Sequence, residues 1–286
     1  RRHLWITSKA IDDGMDIRGF YHWSLMDNFE WAEGYTQRFG LYHVNFETQE
    51  RTLKGSGQLY ADIVEANTLP QVVILAGGLG TRLGAVAENI PKSLIEVNGK
   101  PMLKHILDWA HGQGCRKALV LTGHLGEMFD GFTHRGVSLT FHQESEPLGT
   151  GGALWNAKDL LEDEFILLWG DDFHPIDYNS IVAHHRQKAA PLTMTVTESH
   201  ESMNILYRDG QVIAYDKANP KPDYNGYEAG TSIVNKSVVE AHGRDGKWSW
   251  EETVYPSLVG QITAHVDNTA FWDMGTPERL SRFEDF

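Results

Sequence analysis

From Gln71 onward the chain alternates short apolar runs with segments of helical spacing. The runs are "VVILA" from Val72, "KALVLTG" from Lys117, "LTFH" from Leu139, "FILLWGDD" from Phe165 and "LTMTVT" from Leu192. Helical patterns fall near Pro101 to Gly112, after Gly126, near Gly151 to Leu161 and near Ile176 to Lys188. Strands that are apolar throughout and alternate with helices predict a parallel sheet covered on both faces. "GQVIAYDK" and "GYEAGTSIVNK" come later and read as antiparallel additions. The expected class is therefore α/β: a Rossmann-like mixed, mostly parallel sheet with helices on both faces.

The first seventy residues follow another grammar. They are dense in aromatics, among them Trp5, Tyr21, Trp23, Phe29, Trp31 and Tyr35. Their pattern predicts a helix from about Leu4 to Asp13, a strand from about Ile17 to Ser24 and a long polar-aromatic loop. A short strand pair near Phe39 to Asn45 and a helix around Gly57 to Asn67 follow. "NTLP" ends that helix, because a residue before proline leaves the helical region. This divides the chain into 1–70 and 71–286.

Composition narrows the partners. With 41% hydrophobic residues in 286, a sizeable core can form. A formal net charge of -14 disfavours nucleic acid and anionic membrane surfaces, which need clustered Lys and Arg. Cys115 is the only cysteine, so no intramolecular disulfide forms and a cytoplasmic setting is expected. No apolar run reaches membrane-span length, and no signal-peptide pattern is present. The chain starts Arg-Arg-His, as a processed chain or a piece of a longer one would.

The chemistry begins where "VVILA" runs into Gly77-Gly78-Leu79-Gly80. A glycine turn after a strand points backbone N–H groups at an anion and lets the chain approach it closely. A tight structural turn and a dinucleotide-binding turn are the competing readings. The second strand, however, ends Thr122-Gly123 and lacks the acid that would hold a ribose. Arg82 inside the loop and Lys92 in "PKSL" bring two cations, which suits a triphosphate. The Gly-Lys-Ser/Thr ending of a P-loop is missing.

"LAGGLGTRL" with "PKSL" resembles the signature of the sugar-1-phosphate nucleotidyltransferases, the NDP-sugar pyrophosphorylases. "EPLGTGGAL", "WGDD", "YDK", "YEAGTSIV", "WEETVYPSL" and "DMGTPERL" follow in that family's order, across essentially all of Gln71 to Phe286. Within the family the likeness runs to guanylyltransferases acting on mannose-1-phosphate or heptose-1-phosphate. The resemblance implies attack of a sugar-1-phosphate oxygen on the α-phosphorus of an NTP, with pyrophosphate leaving. The nucleophile is already an anion, so positioning and charge neutralisation suffice.

The resemblance also implies roles. Asp171 and Asp273 are expected to hold Mg²⁺, with Asp172 supporting them. Arg82 is expected on the β- and γ-phosphates, Lys92 nearer the α-phosphate and Lys217 on the sugar phosphate. "YDK" is followed by Ala218 where the family often has proline, which puts the local geometry there in question. Leu75, Ala76, Gly77, Gly78, Gly80, Thr81, Gly149 and Thr150 are expected at the nucleotide, and Glu228 and Gly230 at the sugar. Glu144 is expected at the base edge. A carboxylate only accepts hydrogen bonds, so it matches the adjacent N1–H and N2–H₂ of guanine and favours GTP; a plain loop acid is the alternative. Trp248 and Trp250 either line the sugar side or pack the lid, with packing favoured.

"WSLMDNFEWAEGYTQRFGLYHVNFETQERTLKGSG" resembles the C-terminal end of family 1 β-glycosidases, the last strand and helix of a (β/α)₈ barrel. That resemblance implies a glycone subsite at Trp23, Glu30 and Trp31. Retaining glycosidases need two carboxylates, which the resemblance places within Asn-Glu-Pro and Glu-Asn-Gly motifs on earlier strands, and both motifs are absent from this sequence. The segment reads as a non-catalytic remnant or cloning junction, as the tail of a longer bifunctional chain, or as one eighth of a barrel that a partner completes. Its aromatics predict docking on the second domain or homo-oligomerisation. The rival functions are a β-glycosidase and a non-catalytic sugar-nucleotide sensor.

Overall fold

A computed structural model describes residues 2–15, 17, 19–66, 69–78, 80, 83–84, 87–200 and 202–283. The chain divides into two compact units, Arg1–Thr68 and Leu69–Phe286.

The first unit holds α1 (Arg2–Asp12), β1 (Tyr42–Val44), β2 (Arg51–Leu53) and α2 (Gly55–Ala66). β1 and β2 pair antiparallel, with His43 opposite Thr52. The strand expected over Ile17 to Ser24 does not form: the described residues of that stretch are irregular, and the nearest ladder contact is an isolated bridge from Met26 to Tyr42. A buried carboxylate organises the unit instead. Asp27 accepts hydrogen bonds from Gly40 N–H at 3.0 Å and from Lys54 Nζ at 2.7 Å. Several large aromatics of this unit are exposed, Tyr21 at 93% and Trp31 at 82%.

The second unit is built on β3 (Gln71–Leu75), β4 (Glu96–Val97), β5 (Lys100–Pro101), α3 (Met102–Gln113), β6 (Lys117–Thr122), β7 (Ser138–Gln143), α4 (Gly149–Asn156), β8 (Glu164–Trp169), β9 (Asp172–Phe173), α5 (Tyr178–Lys188) and β10 (Leu192–Thr197). It continues with β11 (Ile205–Arg208), β12 (Gln211–Tyr215), β13 (Tyr227–Asn235), α6 (Lys236–His242), α7 (Trp250–Ser257), β14 (Ile262–Val266), β15 (Trp272–Asp273) and α8 (Pro277–Arg282). Nine strands form one sheet in the order β11-β12-β14-β10-β13-β8-β3-β6-β7. Only β12 and β13 run against the other strands of this sheet.

Alternation along β3 explains why its run is apolar throughout. Val72 and Ile74 face a core shared with α3 and α5, while Val73 and Leu75 face one shared with α4, α6 and α7. Successive side chains point to opposite faces, and both faces are covered. Two sequence expectations change. The segment after Gly126 forms a 3₁₀ turn, Gly126–Phe129, in place of a helix. "GYEAGTSIVNK" is no peripheral addition: as β13 it lies between β10 and β8 in the middle of the sheet, and seven consecutive residues, Glu228 to Val234, are buried.

Topology fixes where a ligand can sit. β3, β6 and β7 advance in one direction, and the chain then returns to place β8 on the other side of β3. Loops leaving β3 and β8 diverge there and open a crevice at their C-terminal ends, the usual ligand position of open α/β sheets. Because β13 is antiparallel to β8, it delivers its first residues, Tyr227 and Glu228, to the same edge.

Candidate active site

A cavity of about 410 Å³ opens at that edge. The turn after β3 forms one wall, with Leu75, Ala76, Gly77 and Gly78 lining it. Ala76 N–H donates to Leu121 O at 2.8 Å, and Gly170 N–H donates to Leu75 O at 2.9 Å, so both neighbouring strands anchor this turn. Gly80 has φ +67, and a Cβ there would come within 2.8 Å of Ala87 and 3.3 Å of the Lys92 stem. Glycine is thus required both for the backbone angle and for the lysine's passage. Thr81 and Arg82 lie outside the described residues.

Glu144, directly after β7, also lines the cavity. Its Oε2 accepts Leu148 N–H at 3.2 Å, and burial pushes its pKa above the ordinary value against that hydrogen bond. Its Oε1 sits where the side chains of residues 77 and 123 would otherwise be: a Cβ on Gly123 would lie 2.8 Å from it. Gly149 and Thr150 start α4 beside it, and Thr150 Oγ1 accepts Trp250 N–H at 2.9 Å. Trp248 and Trp250 are buried in the core shared with α4 and α7, which is the packing alternative.

Carboxylates gather past β8. Asp171 and Asp172 follow the strand, and the two-residue pairing of β9 with β15 sets Asp273 opposite Asp172. Met274 N–H donates to Asp171 O at 2.9 Å and closes the arrangement. Removal from water, with the charges of Asp171, Asp273 and Glu228, holds the Asp172 pKa well above the carboxylate range. Two cations answer the negative charge. Lys92 Nζ lies 2.6 Å from Asp171 Oδ2, and Arg279 Nη1 reaches both Asp273 oxygens at 3.0 and 2.8 Å. Among the described residues no three His, Cys, Asp or Glu side chains are arranged to hold a metal by themselves. The donor set nevertheless suits Mg²⁺: two aspartates facing one cavity supply hard oxygens, and this cation usually takes one or two carboxylates together with phosphate oxygens.

Lys217 and Glu228 stand across the cavity, near Glu251. Burial lowers the Lys217 pKa, but Glu251 and Glu228 outweigh it and hold the ammonium above its ordinary value. Lys217 Nζ donates to Glu251 Oε1 at 2.7 Å. Burial and the Glu251 charge raise Glu228 to about 7, against Lys217 and the Gly230 N–H that Glu228 accepts at 3.0 Å. Gly230 is not on the cavity wall. It lies beneath, at φ +74, where a Cβ would approach Asp172 Oδ2 to 3.0 Å. The glycine therefore makes room for an acid.

Sequence reading missed Ser93, Tyr227, Lys247, Glu251, Phe271 and Arg279, all of which line the cavity. Arg279 and Glu251 stand inside quoted motifs and were findable as charges near a proposed ligand. Phe271 carries no such signal; only the β9–β15 pairing brings it in. In the first unit, Trp23 Nε1 donates to Glu30 Oε1 at 3.2 Å, so these two expected subsite residues meet, while Trp31 projects outward.

Different families of known proteins match the two parts of the chain. Residues 71–207 match the nucleotidyl transferase family, and residues 1–69 match glycosyl hydrolase family 1. A D-glycero-α-D-manno-heptose 1-phosphate guanylyltransferase of Aneurinibacillus thermoaerophilus is 29% identical over 217 residues, covering 73% of this chain and 94% of that one. HddC from Yersinia pseudotuberculosis, in its complex with GMP-PN, superposes with a TM-score of 0.64 at 28% identity, over 76% of this chain and 99% of that one. The first unit is 59% identical over 59 residues to a β-glucosidase of Agrobacterium sp., 21% of this chain and 13% of that enzyme. No helix among the described residues is long and apolar enough to cross a membrane.

Proposed function

We infer that this chain, whose residues 71–207 belong to the nucleotidyl transferase family, makes an NDP-sugar and pyrophosphate from GTP and a mannose- or heptose-type sugar-1-phosphate. One observation carries the reading. A single crevice collects a base-edge acid, a glycine turn, a lysine–aspartate pair, a second aspartate and a lysine paired with Glu251.

The substrates' own charge sets the task. The sugar phosphate is an anion attacking a polyanion, so cations must screen the approach and the leaving pyrophosphate. Lys92 is assigned to the α-phosphate and Lys217 to the sugar phosphate. Arg82 is assigned to the β- and γ-phosphates. Backbone N–H groups of the Gly77–Gly78 turn hold the triphosphate, and Gly149 and Thr150 flank the nucleoside. Glu144 reads guanine, with its carboxylate accepting the two adjacent N–H groups. Glu228 accepts sugar hydroxyls. Asp171 and Asp273 would hold Mg²⁺, which supplies charge neutralisation at the phosphates when bound. GTP as substrate and a single, buried free thiol suit a cytoplasmic setting.

Residues 1–70 are assigned as a C-terminal segment of a family 1 β-glycosidase barrel that carries neither of that family's two-carboxylate motifs, and 71–286 as the nucleotidyltransferase domain. Pyrophosphate release, measured over four NTPs against several sugar-1-phosphates with added Mg²⁺, tests the reading. Release with GTP and one sugar is the expected outcome. Nucleotide binding without release for any pair would leave a sensor, and hydrolysis of an aryl β-glucoside would revive the glycosidase.

A further inference from the structure

Three rings are piled at one end of the crevice, and the assigned chemistry uses none of them. His200 lies flat on Tyr227, with ring centroids 3.6 Å apart and planes 13° from parallel. Phe271 completes the group, 5.8 Å from Tyr227 at 30° and 5.9 Å from His200. Tyr227 and Phe271 line the cavity, and His200 stands behind them.

The sheet order says which substrate end they meet. Glu144 follows β7, the glycine turn follows β3, Asp171 follows β8, and Tyr227 begins β13. β7 and β13 are four strand positions apart, which is roughly 19 Å across a sheet. The carboxylates lie between. The rings therefore stand on the far side of the reacting phosphates from the base acid, next to Lys217 and Glu228.

Each ring is held from behind. His200 Nδ1 accepts Ser202 N–H at 3.0 Å, which fixes the imidazole plane. Phe271 has the His174 ring at its edge, 5.9 Å away, and His174 Nε2 is anchored on Thr269 O at 3.0 Å. A wall of fixed aromatic faces beside a charged lysine and an acid matches a ligand with one apolar and one polar side. A pyranose is such a ligand: its ring C–H groups form an apolar face, while its hydroxyls point to the edges. Sites of this type use aromatic area for binding and a few polar groups for orientation.

We propose that Tyr227 and Phe271 are the specificity wall of the sugar subsite, packing on the C–H face of the sugar-1-phosphate, and that His200 is a positioning residue that holds Tyr227 in its packing orientation. This rests on the nucleotidyltransferase reading and deepens it. Truncation of Phe271 or His200 weakens sugar binding and leaves the nucleotide end untouched.

The test compares wild type, Phe271→Ala, His200→Ala and His200→Phe in pyrophosphate release with GTP and the best sugar-1-phosphate of the panel. The expected result is a KM for the sugar phosphate raised at least about tenfold in both alanine variants, a burial loss of the size one aromatic face contributes. The KM for GTP should stay within about twofold, because the wall lies beyond the phosphates from the base. His200→Phe restores the sugar KM, since a flat ring again backs Tyr227. Saturation-transfer NMR of the NDP-sugar product gives a second readout: sugar ring protons receive saturation from the aromatic envelope in wild type and lose it in Phe271→Ala. An unchanged sugar KM in both alanine variants, or an equal rise in both KM values, overturns the proposal while leaving the transferase reading intact. A wild-type chain that releases no pyrophosphate with any pair overturns the transferase reading and this inference with it.

Discussion

Lys92 Nζ lies 2.6 Å from Asp171 Oδ2, so the lysine of the "PKSL" turn and the acid after β8 are paired across 79 positions of sequence. Both side chains keep a view of the crevice, at 13% and 26% exposure. An ion pair so near solvent adds only about 1 kcal/mol or less to stability, so its place at the phosphates is the better account of it. Asp171→Asn preserves the shape and removes the charge. Turnover is expected to fall by about 10²-fold or more, the usual scale for losing one electrostatic contact in a phosphoryl-transfer site, with the melting temperature within a few degrees of wild type. Near wild-type pyrophosphate release in Asp171→Asn would remove Asp171 from the proposed metal pair.

Glu144 and Gly123 test the base assignment without touching the acid. A Cβ at residue 123 would lie 2.8 Å from Glu144 Oε1 and 3.0 Å from Gly77 O, one a movable side chain and the other fixed backbone. Gly123→Ala should therefore push the carboxylate aside. The variant is expected to lose its preference for GTP over UTP, as Glu144→Ala should. Competition assays with the two nucleotides read this directly. A Gly123→Ala enzyme with intact GTP preference and impaired turnover would mean that Glu144 is a loop acid.

Much of this site was legible in the sequence, and the reasons are physical. The glycine turn at 77, 78 and 80 with the cations at 82 and 92 reads as an anion site from the residues alone, whereas Asp171, Lys217 and Asp273 stood out through the order of the family's motifs, since a lone strand-end acid or lysine is otherwise a cap or a solvated charge. The strand over 17–24 failed for a matching reason. Its aromatic run reads as a strand, but strand formation needs a ladder partner, and among the described residues of this stretch no ladder is made. β13 was recognised as a strand, but its central place was not, since pairing order is a long-range property that local pattern does not encode. Phe271, outside every quoted motif, was out of reach for the same reason, because only the pairing of β15 with β9 brings it to the site.

Glu228 predicts a pH dependence of stability. Its carboxyl has an ordinary pKa of 4.5 unfolded and about 7 in the fold, raised by burial and the Glu251 charge. Between these values the native state holds a proton that the unfolded state has lost, so stability decreases as pH rises through the window. Below pH 4.5 this group costs nothing, and above about 7 the cost is complete, on the order of 3 kcal/mol. Denaturant titrations from pH 4.5 to 8 should show the slope, and Glu228→Gln should flatten it by one proton's worth. Asp172, whose pKa is also raised, leaves a residual slope in the same direction. An unchanged slope in Glu228→Gln would place the ionised acid in the native state throughout.

Cys115 offers a check on the core itself. It follows the left-handed Gly114 that ends α3, its N–H donates to Ala110 O at 2.9 Å, and its side chain is fully buried between α3 and β6. Burial pushes its thiol from 9.0 up to about 12, against the partial help of Arg116. The thiolate is the reactive form, so this shift alone slows attack at pH 8 by about 10³, before any loss of access is counted. Native protein should therefore leave a colorimetric disulfide reagent unreduced over the time in which urea-unfolded protein titrates one thiol. Any slow reaction in the native state then measures opening of the α3–β6 packing, and its rate should rise with sub-denaturing urea in step with exposed surface. Prompt native labelling would show that the core between α3 and the central sheet is looser than its packing implies, and with it β6, which ends at Thr122 just before Gly123 and its contact with Glu144.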